Sequence, residues 1–271
     1  MKVKKSPWVK EWENQLKKEE KFIAKRQEGP TSVLFKKMDN VIPDKMRSAL
    51  DSAFFKGFET VFEKGTKVIE KTYDKNRMAA EYRVNEYAYE LQENNRTAKT
   101  FTKKAKGKNT ANMLISTVEG AGMGAFGLAL LDIPVFVGMI LKSVYEVAMS
   151  YGYEYESDEE KIFILKLIEV AMRDGDDFVE GDCEVNAAIE FITSHGDYIT
   201  GWNISKEEQT RNASNSLVTE MIYTKCIQKI PLVGIIGGLF DPVYVNRISS
   251  YAMLKYRRRF LQSKLLNEVN L

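Results

Sequence analysis

Apolar residues recur along this chain at intervals of three and four, the period of helices and not the alternation of half-buried strands. Across residues 7–26, Trp8, Trp12, Leu16 and Ile23 fall close to one helical face while Lys, Glu and Gln fill the others, which predicts an amphipathic helix. Gly29 and Pro30 break it. Pro43 then opens a long helical stretch whose apolar positions are Met46, Leu50, Phe54, Phe58 and Val61, and Gly65 ends or weakens it. Residues 67–91 are helix-like again, whereas residues 92–109 are polar and basic with no sustained apolar face. The main internal boundary is therefore expected there, dividing a basic amphipathic arm with long helices (1–109) from a glycine-rich helical core region (110–271), within one continuous domain.

Two capping boxes mark later helix starts, since a Ser oxygen can accept from the backbone three residues on while a Glu there reaches back. They are Ser157 to Glu160, before a run at 162–172 that is apolar nearly all round except for Lys166 and Glu169, and Ser205 to Glu208, before a helix carrying Val218, Ile222 and Cys226. Before and after these lie two glycine-rich apolar segments, residues 120–141 and 230–245, whose apolar runs are interrupted at Asp132-Ile133-Pro134 and Asp241-Pro242. Asp is a good N-cap and Pro sits well in a first helical turn, so each pair should open a new helix. Small residues such as Gly120, Gly124 and Gly127 let helix backbones approach closely. The expected fold is all-α, a multi-helix bundle with glycine-rich helical hairpins. A membrane span needs roughly 20 continuous apolar residues, and Asp132 and Asp241 cut both runs short of that, which favours burial in a core over simple spanning.

Composition narrows the picture. The 271 residues are 44% hydrophobic, with six prolines and only two cysteines, Cys183 and Cys226, so neither a disulfide framework nor a zinc motif is encoded and no metal or cofactor is expected. The near-neutral total hides an asymmetry: residues 1–110 hold 26 Lys and Arg against 16 Asp and Glu, and residues 111–271 hold 14 against 22. Such a basic half can meet anionic lipid, nucleic acid or the acidic half of its own chain. The first fifteen residues have basic character but no apolar run after it, so no secretory signal is expected and the cytoplasm is the expected compartment.

Candidate chemistry is sparse. Residues 122–127 fit GxGxxG, but their helical flanks and the break at Asp132 argue for close helix packing in place of a dinucleotide site. The acidic stretch 174–182 departs from an EF-hand loop, with Phe178 at a ligand position, and reads as a solvated interhelical loop. The single histidine, His195, is expected to cap a helix end. Glu146 lies among apolar residues, so with Asp132, Asp241 and His195 it forms a weak set of catalytic candidates. Trp8, Trp12 and the Arg257, Arg258, Arg259 cluster are candidate contacts to a membrane or to phosphate.

At the level of whole motifs, Gly127-Leu128, Asp132-Ile133-Pro134, Glu146-Val147-Ala148 and Tyr151-Gly152-Tyr153, followed by Ser157 to Glu160, resemble the EcsC protein family. So do Ile230 to Gly234, Gly237-Gly238, Tyr244, Ala252 and the basic end at Tyr256-Arg257. Asp241-Pro242 departs from the family pattern, where a small or amide residue is usual. The resemblance implies a bacterial, largely helical protein with no agreed catalytic residues. The expected function is that of a membrane-associated accessory or binding protein, peripheral at the inner face of the membrane, whose partner is an anionic membrane surface or a membrane protein complex. The alternatives are an enzyme with a buried carboxylate acting on a small or lipid-like substrate, and a soluble, immunity-like protein-binding partner. Nucleic acid is not expected.

Overall fold

The computed structural model describes residues 6–28, 44–92, 94–101, 133–195, 204–227 and 242–269. Residues 120–132 and 230–241 of the glycine-rich segments, with the GxGxxG match, Asp132 and Asp241, lie outside these residues. Helices account for nearly all of what is described, and no strand occurs among the described residues.

Local chemistry sets most helix boundaries. Helix α1, Pro7–Gln27, starts where the Ser6 hydroxyl accepts from the Val9 amide at 3.2 Å and Pro7 occupies the first turn. Helix α2, Asp44–Thr60, runs into a π-helical turn at Val61–Gly65 and then into the short α3, Thr66–Glu70. Gly65 thus loosens this helix without ending it. The stretch expected to be helical from 67 to 91 is broken at residues 71–74, because Asp74 caps a new helix, α4 (Lys75–Leu91), by accepting from the Arg77 amide at 2.8 Å. Residues 95–101 are helical too, and Ala98 and Phe101 are buried, so the polar stretch after residue 92 returns to the core.

Helix α5, Ile133–Ser150, ends at Gly152, whose φ of +83° lets the Tyr153 amide reach the Ala148 carbonyl and the Gly152 amide reach Met149. Helices α6, Asp158–Ala171, and α8, Lys206–Ile227, begin where expected: the Ser157 and Ser205 hydroxyls accept from the Glu160 and Glu208 amides, each at 3.1 Å. Every residue of α6 from Ile162 to Ala171 is buried, Lys166 and Glu169 included. The acidic stretch after residue 174 is not a loop. It forms the first turns of α7, Gly175–His195, and the last long helix is α9, Pro242–Val269.

Helix α9 is the axis of the bundle, packing against α1, α5, α6 and α7, while α8 lies on α6 and α2 and α4 lies on α5. A single apolar cluster runs from Trp8 through Phe54, Phe58 and Phe136 to Phe260 and Leu261. Helices α2 and α5 meet at Gly57, where an added Cβ would sit 3.2 Å from Ile133 and 3.3 Å from Val137. Helix α5 is the one described helix long and apolar enough to cross a membrane, and 61% of it is buried in the bundle.

Candidate functional site

The residues expected to meet a membrane turn inward. Trp8 is 2% exposed, with its ring 4.3 Å from Tyr89 and 5.5 Å from Phe260. The buried face of α1 is turned partly away from its apolar one: Trp8 is buried and Trp12 and Ile23 pack against the core, but Leu16 is 41% exposed while Glu11, Gln15 and Glu19 are buried. These three polar residues stand one turn apart and meet α9. Arg257 Nη2 donates to Glu11 at 2.7 Å and Nη1 to Gln15 at 2.9 Å, Gln15 donates to the Leu254 carbonyl at 2.8 Å, and Arg258 donates to Glu19 at 2.5 Å with its guanidinium 5.1 Å over Trp12. Arg259 Nη1 donates to both carboxylate oxygens of Glu160 of α6, at 2.8 and 3.0 Å, and its guanidinium lies 4.1 Å over Tyr153. A charged group taken from water needs a partner of opposite charge, and the three arginines find theirs inside the fold. The expected surface contact of Trp8, Trp12 and Arg257 to Arg259 is thereby replaced by an internal lock.

The acidic segment 174–182 supplies two further locks. Asp174 pairs with Arg26 at 3.2 Å and with Arg247 at 2.9 Å, and both arginines also donate to the carbonyls of Ala171 and Arg173 at the end of α6. Arg247 binds Glu220 at 2.6 Å as well. Burial and the neighbouring Arg247 charge lower Arg26 to about 10, and burial raises the Glu220 carboxyl above its ordinary value. Asp182 and Lys255 form a fully enclosed pair at 2.7 Å. Burial of these acids against remote cations is what makes a helix of a stretch that reads as solvated loop.

Of the catalytic candidates, Glu146 is described together with its side chain. It is 4% exposed, on α5, beside a cluster of tyrosines and carboxylates. Tyr155 donates to Glu70 Oε1 at 2.8 Å and its oxygen joins the Tyr73 hydroxyl; Lys75 donates to Glu156 at 2.5 Å and lies 4.9 Å over the Tyr155 ring, on which Tyr145 stacks at 3.9 Å. Burial, with the added charges of Glu70, Glu146 and Glu156, pushes Tyr73 up to about 12, and burial also raises Tyr155 and Tyr145. Burial works against the Lys75 ammonium, but Glu156 and Glu70 outweigh it and raise its pKa. Phenols so placed stay protonated and donate, and the ammonium stays charged, so the cluster ties α3 and α4 to the 151–156 turn. His195 is the last residue of α7.

Sequence patterning did not single out the outer face of α1. Lys10, Lys17, Lys21 and Lys25 are exposed at spacings of seven, four and four, which aligns them on one side of the helix, and none is paired with a carboxylate among the described residues. With Glu11 and Glu19 turned inward onto α9, the uncharged Asn14 stands among these lysines and Glu28 at the C-cap is the acid in line with them, so the strip itself carries three net positive charges, with Glu13 and Glu20 flanking it on one side.

Comparison with known proteins gives kinship and no activity. The chain is 26% identical over 168 residues to YdbA of Bacillus subtilis (strain 168), a protein described as uncharacterized, in a match that covers 59% of this chain and 57% of that one. The chain thus matches little more than half the length of that relative. No solved structure matches it. The model of the EcsC protein family matches residues 5–261, a span that takes in the α1–α9 lock, the tyrosine cluster and both Asp/Pro pairs, and on that match the chain belongs to the EcsC protein family.

Proposed function

We propose that this protein is a non-catalytic accessory protein that docks on an anionic membrane surface through the outer face of α1. The observation that carries this reading is the exposed alignment of Lys10, Lys17, Lys21 and Lys25 on a helix that withdraws Glu11 and Glu19 into the fold. A lysine near an anionic leaflet contributes about 1 kcal/mol, so four of them less the aligned Glu28 favour the membrane by at most about 3 kcal/mol, roughly a hundredfold in partition. The inner leaflet of a bacterial membrane is the surface such a face fits. Attraction of this kind is screened within a Debye length of about 8 Å at physiological salt.

The test is co-sedimentation with vesicles of mixed phosphatidylglycerol and phosphatidylcholine, compared with phosphatidylcholine alone. The wild-type chain is expected to bind the anionic vesicles, to lose most binding on addition of salt, and to lose it equally when the four lysines are replaced by glutamine. Binding that ignores both changes, or a chain that ignores anionic vesicles altogether, overturns the reading. The latter result would favour a soluble protein partner.

A further inference from the structure

Two cations and two anions from four parts of the chain meet beside the end of α6. Arg26 comes from the last turn of α1, Asp174 from the turn between α6 and α7, Glu220 from α8 and Arg247 from α9. Arg247 is the better held cation: Nη2 donates to Asp174 at 2.9 Å and to the Arg173 carbonyl at 3.0 Å, Nε to the Ala171 carbonyl at 2.7 Å and Nη1 to Glu220 at 2.6 Å. Arg26 shares both carbonyls through Nη2, and its Nε stands 3.2 Å from Asp174 without forming a hydrogen bond. Glu220 uses one oxygen. Its Oε1 accepts from Arg247 and, at 3.3 Å, from Thr224, whereas Oε2 is buried and accepts no hydrogen bond among the described residues. The other polar groups nearby are Tyr223, in the field of Glu220 and Asp174, and Tyr251, in the field of Arg26. Arg173 turns its own guanidinium to Glu169, and on α2 Arg47 donates at 2.8 Å to Thr219, the residue before Glu220.

We propose that Glu220 is the acid-sensitive catch of a clasp on α1: a proton taken up on Oε2 leaves two arginines facing one acid, and Arg26 lets go, freeing the last turn of α1. The order of release follows from the contacts. Arg247 keeps Asp174 and both carbonyls without Glu220, while Arg26 stands near a helix end with the poorer hold on the same acid. Burial, and after it the Arg247 charge, lower Arg26 to about 10, so its charge is already held at a cost. Burial raises the Glu220 carboxyl and Asp174 adds to the rise, against the lowering by Arg247 and Arg26. The proton therefore goes on above the pH at which exposed glutamates titrate. A neutral Glu220 is also easier to bury, so α8 stays packed and the opening is confined to the end of α1. The potential of an anionic leaflet gathers protons as it gathers lysines, which places the opening where α1 docks. The clasp thus adds a regulation to the docking of α1 and rests on that reading for its purpose, but the opening is a property of the protein free in solution.

The test is hydrogen exchange read by mass spectrometry on the lipid-free chain at pH 7.5 and 5.0, with rates corrected for the intrinsic pH dependence of exchange. In the wild type the amides of residues 22–28 are expected to lose protection at least tenfold at pH 5.0, while those of residues 162–171 in α6 keep theirs. Glu220→Gln sets an amide where the neutral acid would stand and should show the low protection at both pH values, with circular dichroism checking its fold. Arg26→Gln is the second variant: with nothing left to release, its protection over 22–28 should be low and independent of pH. Two other groups could answer to acid. His195 ends the 21-residue α7, roughly 30 Å from its start, and Asp51 on α2 is raised by burial. A pH response that persists in Glu220→Gln or in Arg26→Gln belongs to such a group and overturns the proposal. Wild-type protection over 22–28 that is equal at both pH values overturns it without any variant. Vesicle binding that fails while the clasp opens removes the docking of α1 and leaves the catch standing; a clasp that stays shut while vesicles bind does the reverse.

Discussion

The enclosed pair of Lys255 and Asp182 offers the most direct check on how α9 is held. The Lys255 side chain is 0% exposed and that of Asp182 2%. Their partners are unequal. If Lys255 becomes Met, Asp182 keeps a donor in the Tyr251 hydroxyl at 3.0 Å and another in the Asn186 amide at 2.9 Å. If Asp182 becomes Leu, the Lys255 ammonium keeps only Asn186 Oδ1 at 2.7 Å and the face of Tyr251 at 5.5 Å. Stranding one member of a buried pair costs about 3–5 kcal/mol, so Lys255→Met belongs near the lower figure and Asp182→Leu near the upper. The double replacement removes both charges and leaves Tyr251 and Asn186 short of partners, at about 1 kcal/mol each. It should therefore be less destabilising than either single change. Urea unfolding of the four proteins measures this: with a slope of about 3 kcal/mol per molar, Lys255→Met should lower the midpoint by about 1 M. Single changes costing under about 1 kcal/mol, or a double variant whose cost is the sum of the two, would refute the claim that the pair is desolvated and coupled.

Three further outcomes are expected. Gly152→Ala should destabilise by about 2–4 kcal/mol in urea unfolding, because φ is +83° there and an added Cβ would overlap the Tyr82 ring; Tyr82→Ala should recover part of that loss. Arg259→Lys keeps the charge but loses the planar guanidinium over Tyr153 and Phe163 and the placement of Nη1 between both Glu160 oxygens, and should cost about 1–2 kcal/mol by the same assay. Tyr73 has its folded-state pKa raised from 10.0 to about 12, so its contribution to stability is fully present below pH 10 and is lost as pH rises toward 12. Tyr73→Phe should accordingly soften alkaline unfolding in that window, followed by circular dichroism alongside tyrosinate absorbance.

What was legible in the sequence is the part decided within a turn or two of chain. The serine caps at Ser157 and Ser205, the proline start of α1 and the all-round apolar run of α6 are local, and they stand where they were expected. The inward side of α1 was legible only in part: Trp8, Trp12 and Ile23 pack inward, but the turn that buries Glu11, Gln15 and Glu19 and leaves Leu16 outside comes from arginines roughly 240 residues away. The same remoteness hid the helical start of α7, whose acids look solvated until Arg26, Arg247 and Lys255 are set against them. Asp74 is a local cap of the readable kind, masked by the helix-like pattern on both sides of it. The lysine face of α1 becomes visible as a surface only when Glu11 and Glu19 are known to point the other way.

The lock between α1 and α9 also orders events during synthesis. Its contacts join residues separated by 239 to 262 positions, from Gln15 with Leu254 to Ser6 with Glu268. Closing so long a loop is slow and rewards the chain late. At ribosomal speeds of about 5–20 residues per second, α1 spends tens of seconds outside the exit tunnel before α9 exists. Throughout that interval Trp8, Trp12 and the carboxylates of Glu11 and Glu19 are open to water, to chaperones and to any membrane nearby, so a helix made long before its partner is among the last to find its place.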